Sequence, residues 1–201
     1  MTQSPPRIIG IDPGTRNVGY GVIEVRSRAL VRLASGCISA PARTLQERLV
    51  VIFRGLREVM ESYRPGSAAM ETVFAGRNPR TAIAIGEARG VALLAAAERG
   101  LEAKGYEPAL VKRAVAGSGR ADKEQVRRMV QVLLSLAELP ATDHEADALA
   151  IAITHARHLE FPETGRVTAV HGHLPRRGPL PEMVVRQLPP SFVPGRKRNR
   201  A

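Results

Sequence analysis

The sequence predicts an α/β protein in which a five-stranded mixed sheet is flanked by helices. Three short apolar segments, separated by glycine-rich or basic turns, open the chain and favour an antiparallel meander: IIGID, GYGVIEV and LVRLASGCIS. After them, segments with apolar residues at helical spacing alternate with two more strand-like segments. Strands that are followed by alternating helices and strands are typical of a sheet with helices on its faces.

Periodicity and stop signals define the later elements. Apolar residues at helical spacing predict an amphipathic helix from residue 44 to residue 64, which Pro65-Gly66 ends. We expect further helices over 81–104 and 123–136, and a fourth that begins within ATDHEADALAIAITH. The fourth and fifth strands are predicted at SAAMET and PALV.

The composition indicates one domain and a tail. A chain of 201 residues with 44% hydrophobic residues is long enough for one ordinary core. Beyond residue 159 the chain carries seven of the 15 prolines and ends in GRKRNRA. We therefore expect a folded domain over 1–159 and a disordered basic tail over 160–201.

The charge points to a partner rich in phosphate. Thirty Lys and Arg residues against 19 Asp and Glu residues give a net charge of +11, and part of that excess lies outside the tail. Nucleic acid is the leading candidate. Aromatic residues make up only 3% of the chain, which argues against a base-stacking platform of the OB or RRM type.

The sequence shows no secretory or membrane signal. It has a single cysteine, Cys37, and no apolar stretch near the N-terminus that could act as a signal peptide. No apolar run approaches the roughly 18 residues of a membrane span. We expect a soluble, cytoplasmic protein that does not bind membranes.

Three acidic residues lie at the ends of apolar segments. Asp12 ends IIGID, Glu71 ends SAAME, and Asp147 precedes ALAIAI in the last helix. Because sites in α/β sheets assemble at strand ends, we expect these acids to converge. Three adjacent carboxylates need a cation, and oxygen ligands select hard ions such as Mg²⁺ or Mn²⁺. The alternative is that local hydrogen bonds satisfy each acid separately.

The polar start of the last helix has several interpretations. Thr142 and Glu145 fit a capping box, which predicts a structural role for Glu145. Asp143 lies in the first turn, where the helix dipole is sufficient to explain its charge. His144 lies three residues before Asp147 on the same helix face, but Asp143, four residues before it, could also reach that face. Helix geometry leaves the choice of a second ligand open.

GIDPGT is similar to the first phosphate loop of the actin, Hsp70 and sugar-kinase group. Those folds need two such domains and a second glycine loop, which 201 residues cannot supply. The later glycine-containing segments, GRNPRTAIAIGEARG and GSGRADK, are rich in basic residues. We expect them to be loops that contact a nucleic-acid backbone.

Four segments carry a combined resemblance: IIGIDPGTRNVGYGVIE, AMETVFAGRNPRTAIAIGEARGVAL, LVKRAVAGSGRADKEQV and DHEADALAIAITHAR. Together they resemble the RuvC family of Holliday-junction resolvases. The resemblance runs in order from about Ile8 to His158. It implies a ribonuclease H-like fold, a homodimer, and divalent-metal hydrolysis of two opposed strands at four-way junction DNA. It also implies coupling to the RuvA and RuvB branch-migration proteins. Two Mg²⁺ or Mn²⁺ ions per site would suit this chemistry.

The resemblance implies metal-binding roles for four residues. The acids of the family map onto Asp12, Glu71 and Asp147. Three residues before the last aspartate the family usually has another aspartate, and here that position is His144. The resemblance therefore favours His144 over Asp143 as the fourth catalytic ligand.

The resemblance also implies DNA-binding residues. The aromatic residue in the loop after the glutamate maps onto Phe74, which could stack on or wedge between bases at the crossover. The lysines of VKxxVxGxGxAxK map onto Lys112 and Lys123, which would stabilise phosphate charge. The alternatives are a core position for Phe74 and ordinary solvated surface for the two lysines.

Two other functions remain possible. One is an RNA-processing nuclease of the same fold, against which the VKxxVxGxGxAxK segment and the length of the chain argue. The other is a junction-binding protein that does not cleave. The resolvase is expected to leave 5′-phosphate and 3′-hydroxyl ends.

Overall fold

The computed structural model describes residues 5–27, 29–72 and 79–160. Within these ranges the strands are β1 (Arg7–Asp12), β2 (Asn17–Arg26), β3 (Ala29–Ser39), β4 (Ser67–Glu71) and β5 (Ala103–Tyr106). The helices are α1 (Leu45–Tyr63), α2 (Pro79–Glu98), α3 (Pro108–Ala116), α4 (Lys123–Leu133) and α5 (Asp143–Glu160). None of these helices is both long and apolar enough to cross a membrane.

The strands form one mixed sheet in the order β3-β2-β1-β4-β5. β2 pairs antiparallel with both β1 and β3, which confirms the predicted meander. β4 pairs parallel with β1 on one side and with β5 on the other. The carboxyl ends of β1, β4 and β5 therefore lie at the same edge of the sheet.

Two apolar clusters cover the two faces of the sheet. Residues of α3, α4 and α5 pack with Ile8 and Ile23 on one face. Residues of α1 and α2 pack with Ile9 and Ile11 on the other face. Successive residues of β1 thus enter opposite clusters, as the two-residue period of a strand requires. Both faces are buried, which confirms the helix-flanked sheet.

The fifth strand does not lie where we predicted it. The segment PALV forms the start of α3, and β5 lies at residues 103–106, of which the first two fall within the range predicted as the end of the second helix. α2 ends at Glu98, and Gly100 follows in the left-handed region with φ of 68°. Pro108 is tolerated in the first turn of α3, where a missing N–H breaks no helical hydrogen bond. The segment AKGY has little strand propensity, so its pairing with β4 determines its conformation.

The helix predictions were accurate for α1 and less so elsewhere. Thr44 caps α1 through a capping box, and Arg64 ends it with φ of 48°. α4 ends at Leu133, three residues before the predicted end at 136. Most of GRNPRTAIAIGEARG is not a loop, because α2 begins at Pro79 and buries alanines such as Ala88 and Ala92. The segment 117–122 does connect α3 and α4, as expected for GSGRADK.

α5 contacts the sheet at backbone distance. A Cβ atom built on Gly10 would lie 2.1 Å from the carbonyl oxygen of Ala148. One built on Gly19 would lie 1.8 Å from the carbonyl oxygen of His144. Any side chain at these positions would overlap the helix, so glycine in β1 and β2 is what allows α5 to approach this closely.

We predict that Gly10→Ala destabilises the fold by about 3 kcal/mol, because the added methyl group must displace α5 or the strand. The matched control is Gly66→Ala, since the nearest atom to a Cβ at Gly66 lies 3.8 Å away, at ordinary contact distance. Chemical denaturation of both variants measures the free energy of unfolding. Equal stabilities for the two variants would contradict the close contact.

A buried hydrogen bond joins β5 to α5. The Tyr106 hydroxyl group lies 2.7 Å from Nδ1 of His155, and the two residues are 1% and 2% exposed. Nε2 of His155 is buried and has no hydrogen-bond partner among the residues described. Burial lowers the pKa of His155 from 6.5 to about 4, and His158 and Lys104 act in the same direction. The folded protein therefore favours neutral His155.

We predict that His155 reduces stability on acidification. The pKa of His155 is lower in the folded than in the unfolded protein. The stability that the fold has with neutral His155 is therefore complete above pH 6.5 and is lost as pH falls toward about 4. The loss is roughly 3 kcal/mol. The measurement is the free energy of unfolding against pH for the wild type and His155→Gln, because the other titrating groups are common to both. Parallel curves would refute the prediction.

Candidate active site

Asp12 and Glu71 lie side by side at the carboxyl ends of two parallel strands. Ile11 of β1 pairs with Met70 of β4, and the next residue on each strand is the acid. The Asp12 side chain is 17% exposed, and Glu71 is also partly buried. Two carboxylates thus lie together at the edge of the sheet where α/β proteins assemble their sites.

α5 brings two further side chains to this edge. The backbone of His144 contacts Gly19, and Gly19 is the residue of β2 that pairs with Asp12. Nδ1 of His144 lies 2.7 Å from Oδ2 of Asp12. Asp147 follows one turn later, is partly buried, and lies close enough to Asp12 and Glu71 for their charges to interact. The structure therefore brings together Asp12, Glu71, His144 and Asp147, the four residues predicted as metal ligands.

The carboxylates repel one another. The pKa of Glu71 is raised to about 7, first by burial and then by the charges of Asp12 and Asp147. The pKa of Asp147 is raised to about 6, first by burial and then by the charge of Asp12. Carboxylates that are satisfied by local hydrogen bonds would have lowered pKa values. These shifts therefore favour a shared site over separately satisfied acids.

The donor set suits a hard divalent cation. Within the described ranges, no three His, Cys, Asp or Glu side chains are already arranged closely enough to hold a metal ion. The groups that converge are nevertheless carboxylates and one imidazole, which bind Mg²⁺ or Mn²⁺ through oxygen and nitrogen. A cation would also offset the repulsion that raises the pKa values of Glu71 and Asp147.

Two lysines lie near the carboxylates. Lys112 on α3 and Lys123 at the start of α4 both act on the Glu71 carboxyl group through their charges and lower its pKa. Nζ of Lys123 also lies 3.3 Å from Oδ2 of Asp143. The structure thus places Asp143 against Lys123 and His144 against Asp12, which is the arrangement expected if His144 is the ligand.

Glu145 is structural but does not complete a capping box. The Thr142 hydroxyl group accepts a hydrogen bond from the Glu145 N–H at 3.1 Å, as predicted. The Glu145 carboxylate, however, accepts from the N–H of Ala141 at 2.8 Å instead of that of Thr142. Its other oxygen accepts from the Ser35 hydroxyl group at 2.6 Å. Glu145 therefore connects the start of α5 to β3, which a local cap could not do.

Two arginines that fix the backbone of the site were not predicted from the sequence. Nε of Arg127 donates to the carbonyl oxygen of Pro140 at 2.8 Å and so holds the segment that leads into α5. Nε of Arg89 donates to the carbonyl oxygen of Glu71 at 3.1 Å. Such contacts leave no sequence signature. The glycines of GYG in β2 were visible, and glycine inside a strand is a known signal of close backbone approach.

Phe74 and residues 161–201 of the predicted tail lie outside the described residues.

The order of this sheet, with acids at the ends of β1 and β4 and another acid on the helix that packs across it, agrees with the ribonuclease H-like nuclease expected from the sequence. The family described as crossover junction endodeoxyribonuclease RuvC matches residues 8–155. The chain belongs to the RuvC family. Membership confirms the family and the ribonuclease H-like fold expected from the sequence, and it implies dependence on a divalent metal.

Individual relatives support the assignment. The chain is 52% identical over 155 residues to the crossover junction endodeoxyribonuclease RuvC of Heliobacterium modesticaldum, covering 77% of this chain and 96% of the relative. Identity to the enzyme of the same name from Dehalococcoides mccartyi is 49% over 156 residues, covering 77% of this chain and 94% of the relative.

Solved structures agree. Thermus thermophilus RuvC superposes with a TM-score of 0.71, and the same protein in complex with Holliday junction substrate superposes with a TM-score of 0.74. Each is 38% identical, and each alignment covers 78% of this chain and 96% of the solved chain.

We predict that the affinity for a divalent metal weakens as pH falls from about 8 to about 6, because carboxylates must be ionised to bind. Over the same range the number of protons released on metal binding should rise. In the metal-free protein Glu71, with a pKa of about 7, and Asp147, with a pKa of about 6, take up protons within this pH range. Isothermal titration calorimetry with Mn²⁺, in buffers of different ionisation enthalpy, counts the protons released. Glu71→Gln should reduce that number near pH 7, and a pH-independent affinity would rule the prediction out.

Proposed function

We propose that this chain resolves four-way DNA (Holliday) junctions by metal-dependent nicking of two opposed strands during recombination and repair. The observation that carries the proposal is the convergence of Asp12 and Glu71, from adjacent strands, with His144 and Asp147, from α5. The Thermus thermophilus relative was solved with a Holliday junction substrate, and this chain matches it along 96% of its length. Nucleic acid is also the partner that the net charge of +11 favours.

The four converging side chains would hold Mg²⁺ or Mn²⁺, with two ions in each site. Such ions activate a water molecule and neutralise charge on the attacking and leaving oxygens of a phosphodiester. Asp12 and Glu71 supply carboxylates from rigid strand ends, and the hydrogen bond from His144 to Asp12 keeps the imidazole beside them. Imidazole is softer than carboxylate, which favours Mn²⁺ over Mg²⁺.

Phosphate charge would be stabilised by Lys112 and Lys123, whose charges already act on the Glu71 carboxyl group. Lys123 would exchange its contact with Asp143 for a contact with DNA, which costs little because both side chains are more than half exposed. Phe74 would stack on or wedge between bases at the crossover. No covalent intermediate on the protein is needed, and the products would be 5′-phosphate and 3′-hydroxyl ends.

Nicking of two opposed strands needs two active centres, so the working form would be a homodimer. Its location would be the cytoplasm. Residues 1–159 would form the nuclease domain, and the basic segment 160–201 would add affinity for DNA that does not depend on sequence. Coupling to the RuvA and RuvB branch-migration proteins follows from the resemblance noted in the sequence.

A nicking assay tests the proposal. The substrates are a synthetic four-way junction, a linear duplex of the same sequence, and the corresponding RNA duplex, each with and without Mn²⁺. We expect paired nicks in the junction alone and only with metal. Cleavage of RNA would favour an RNA-processing nuclease, and junction binding without nicks would favour a non-cleaving binding protein.

We predict that Asp12→Asn, Glu71→Gln and Asp147→Asn each lower the nicking rate by more than about 100-fold. Loss of a residue that only supports a metal ligand usually costs less than this. The amides keep the shape of the side chain but lose the charge that binds metal. Junction binding without metal, measured by gel shift, should remain. The control is Asp143→Asn, because Asp143 contacts Lys123 and not Asp12. Nicking retained by any of the three amide variants would remove that residue from the site.

A further inference from the structure

We infer that Arg89 is a positioning residue of the metal site, which fixes the end of β4 and thereby the place of Glu71 among the carboxylates. The inference rests on the proposed function, because it assigns Glu71 to metal binding. It adds to the site a residue on α2, which reaches β4 from the face of the sheet opposite α5.

The contact is made to the backbone of Glu71. Nε of Arg89 donates to the Glu71 carbonyl oxygen at 3.1 Å, and Arg89 is partly buried. Its helix is fixed against the sheet, because Ala88 and Ala92 are fully buried in the cluster that also contains Met70. The donor is therefore held by a packed element.

This carbonyl group lies where the strand leaves the sheet. Met70 is the last residue of β4 with a partner on β1, and Glu71 pairs with Tyr106 of β5. The next residue, Thr72, donates to the Tyr106 carbonyl oxygen from its backbone N–H at 2.9 Å and from its hydroxyl group at 3.2 Å. Arg89 approaches from the α2 face of the sheet. It therefore restrains the backbone of Glu71, the residue that carries the carboxylate, in a second direction.

Arg89 acts differently from the lysines of the site. Lys112 and Lys123 influence the Glu71 carboxyl group through their charges, whereas Arg89 contacts the main chain. The guanidinium group is planar and rigid, and it presents Nε–H in a fixed direction, which a flexible lysine ammonium does not. Charge alone should therefore not replace it.

The first test measures Mn²⁺ binding to the DNA-free protein by calorimetry or electron paramagnetic resonance. The variants are Arg89→Gln and Arg89→Lys. The control is Arg99→Gln, because Arg99 lies just beyond the end of α2 and pairs with Glu61. We expect Arg89→Gln to weaken Mn²⁺ binding about tenfold, the usual cost of losing an outer-shell partner. Arg89→Lys should recover only part of that affinity, and Arg99→Gln should match the wild type.

A merely structural role would give a different result. Arg89→Gln would then lower the thermal midpoint while leaving the Mn²⁺ dissociation constant unchanged, and that outcome would overturn the inference. If Arg89→Gln does not fold, Arg89→Lys carries the same comparison. Nicking kinetics add a second readout, since loss of positioning should lower kcat while junction affinity without metal stays at the wild-type value.

A double-mutant cycle separates this inference from the proposed function. In a Glu71→Gln background, Arg89→Gln should cause no further loss of Mn²⁺ affinity, because Arg89 acts through Glu71. A second tenfold loss there would overturn the inference. If Glu71→Gln alone leaves Mn²⁺ affinity unchanged, both the proposed site and the inference fail. If Mn²⁺ binds through Glu71 but no junction is nicked, the proposed function fails and the cycle still decides the role of Arg89.

Discussion

The backbone contact between α5 and the glycines of β1 and β2 determines the geometry of the whole site. The backbone carbonyl oxygen of His144 occupies the space that a Cβ atom on Gly19 would fill. This close approach brings the His144 side chain to Asp12. Gly19 in turn pairs with Asp12, so the contact lies directly beside the carboxylate. A helix that stood off the sheet by a methyl group would carry its ligands away from those of the strands.

Close packing creates an electrostatic cost that the fold does not remove. Burial and mutual repulsion raise the pKa values of Glu71 to about 7 and of Asp147 to about 6, so near neutral pH the apo site retains some of its protons. Lys112 and Lys123 reduce this cost for Glu71 without cancelling it. A bound cation would turn the repulsion into attraction, which is why such a cluster indicates function better than it indicates stability.

The local parts of the structure were predictable, and the long-range parts were not. Asp12 and Glu71 end apolar strands, and that pattern is visible in the sequence because a buried strand is uniformly apolar. AKGY is a strand because β4 lies beside it, and Pro108 begins a helix although proline also ends strands. Glu145 satisfied the capping pattern yet bonds to Ser35, 110 residues away. Local sequence contains no information about such partners.

The two halves of the site depend on different packing. The strand half, with Asp12 and Glu71, is fixed by the sheet and, from the α2 face, by Arg89. The helix half depends on the opposite cluster and on two hydrogen bonds that involve side chains. Arg127 donates to the Pro140 carbonyl oxygen, and the Glu145 carboxylate accepts from the Ala141 N–H. Because each metal ligand set would draw on both halves, metal binding should couple the two clusters energetically. The catalytic geometry is therefore a property of how the two faces of the sheet are packed together, and no single element contains it.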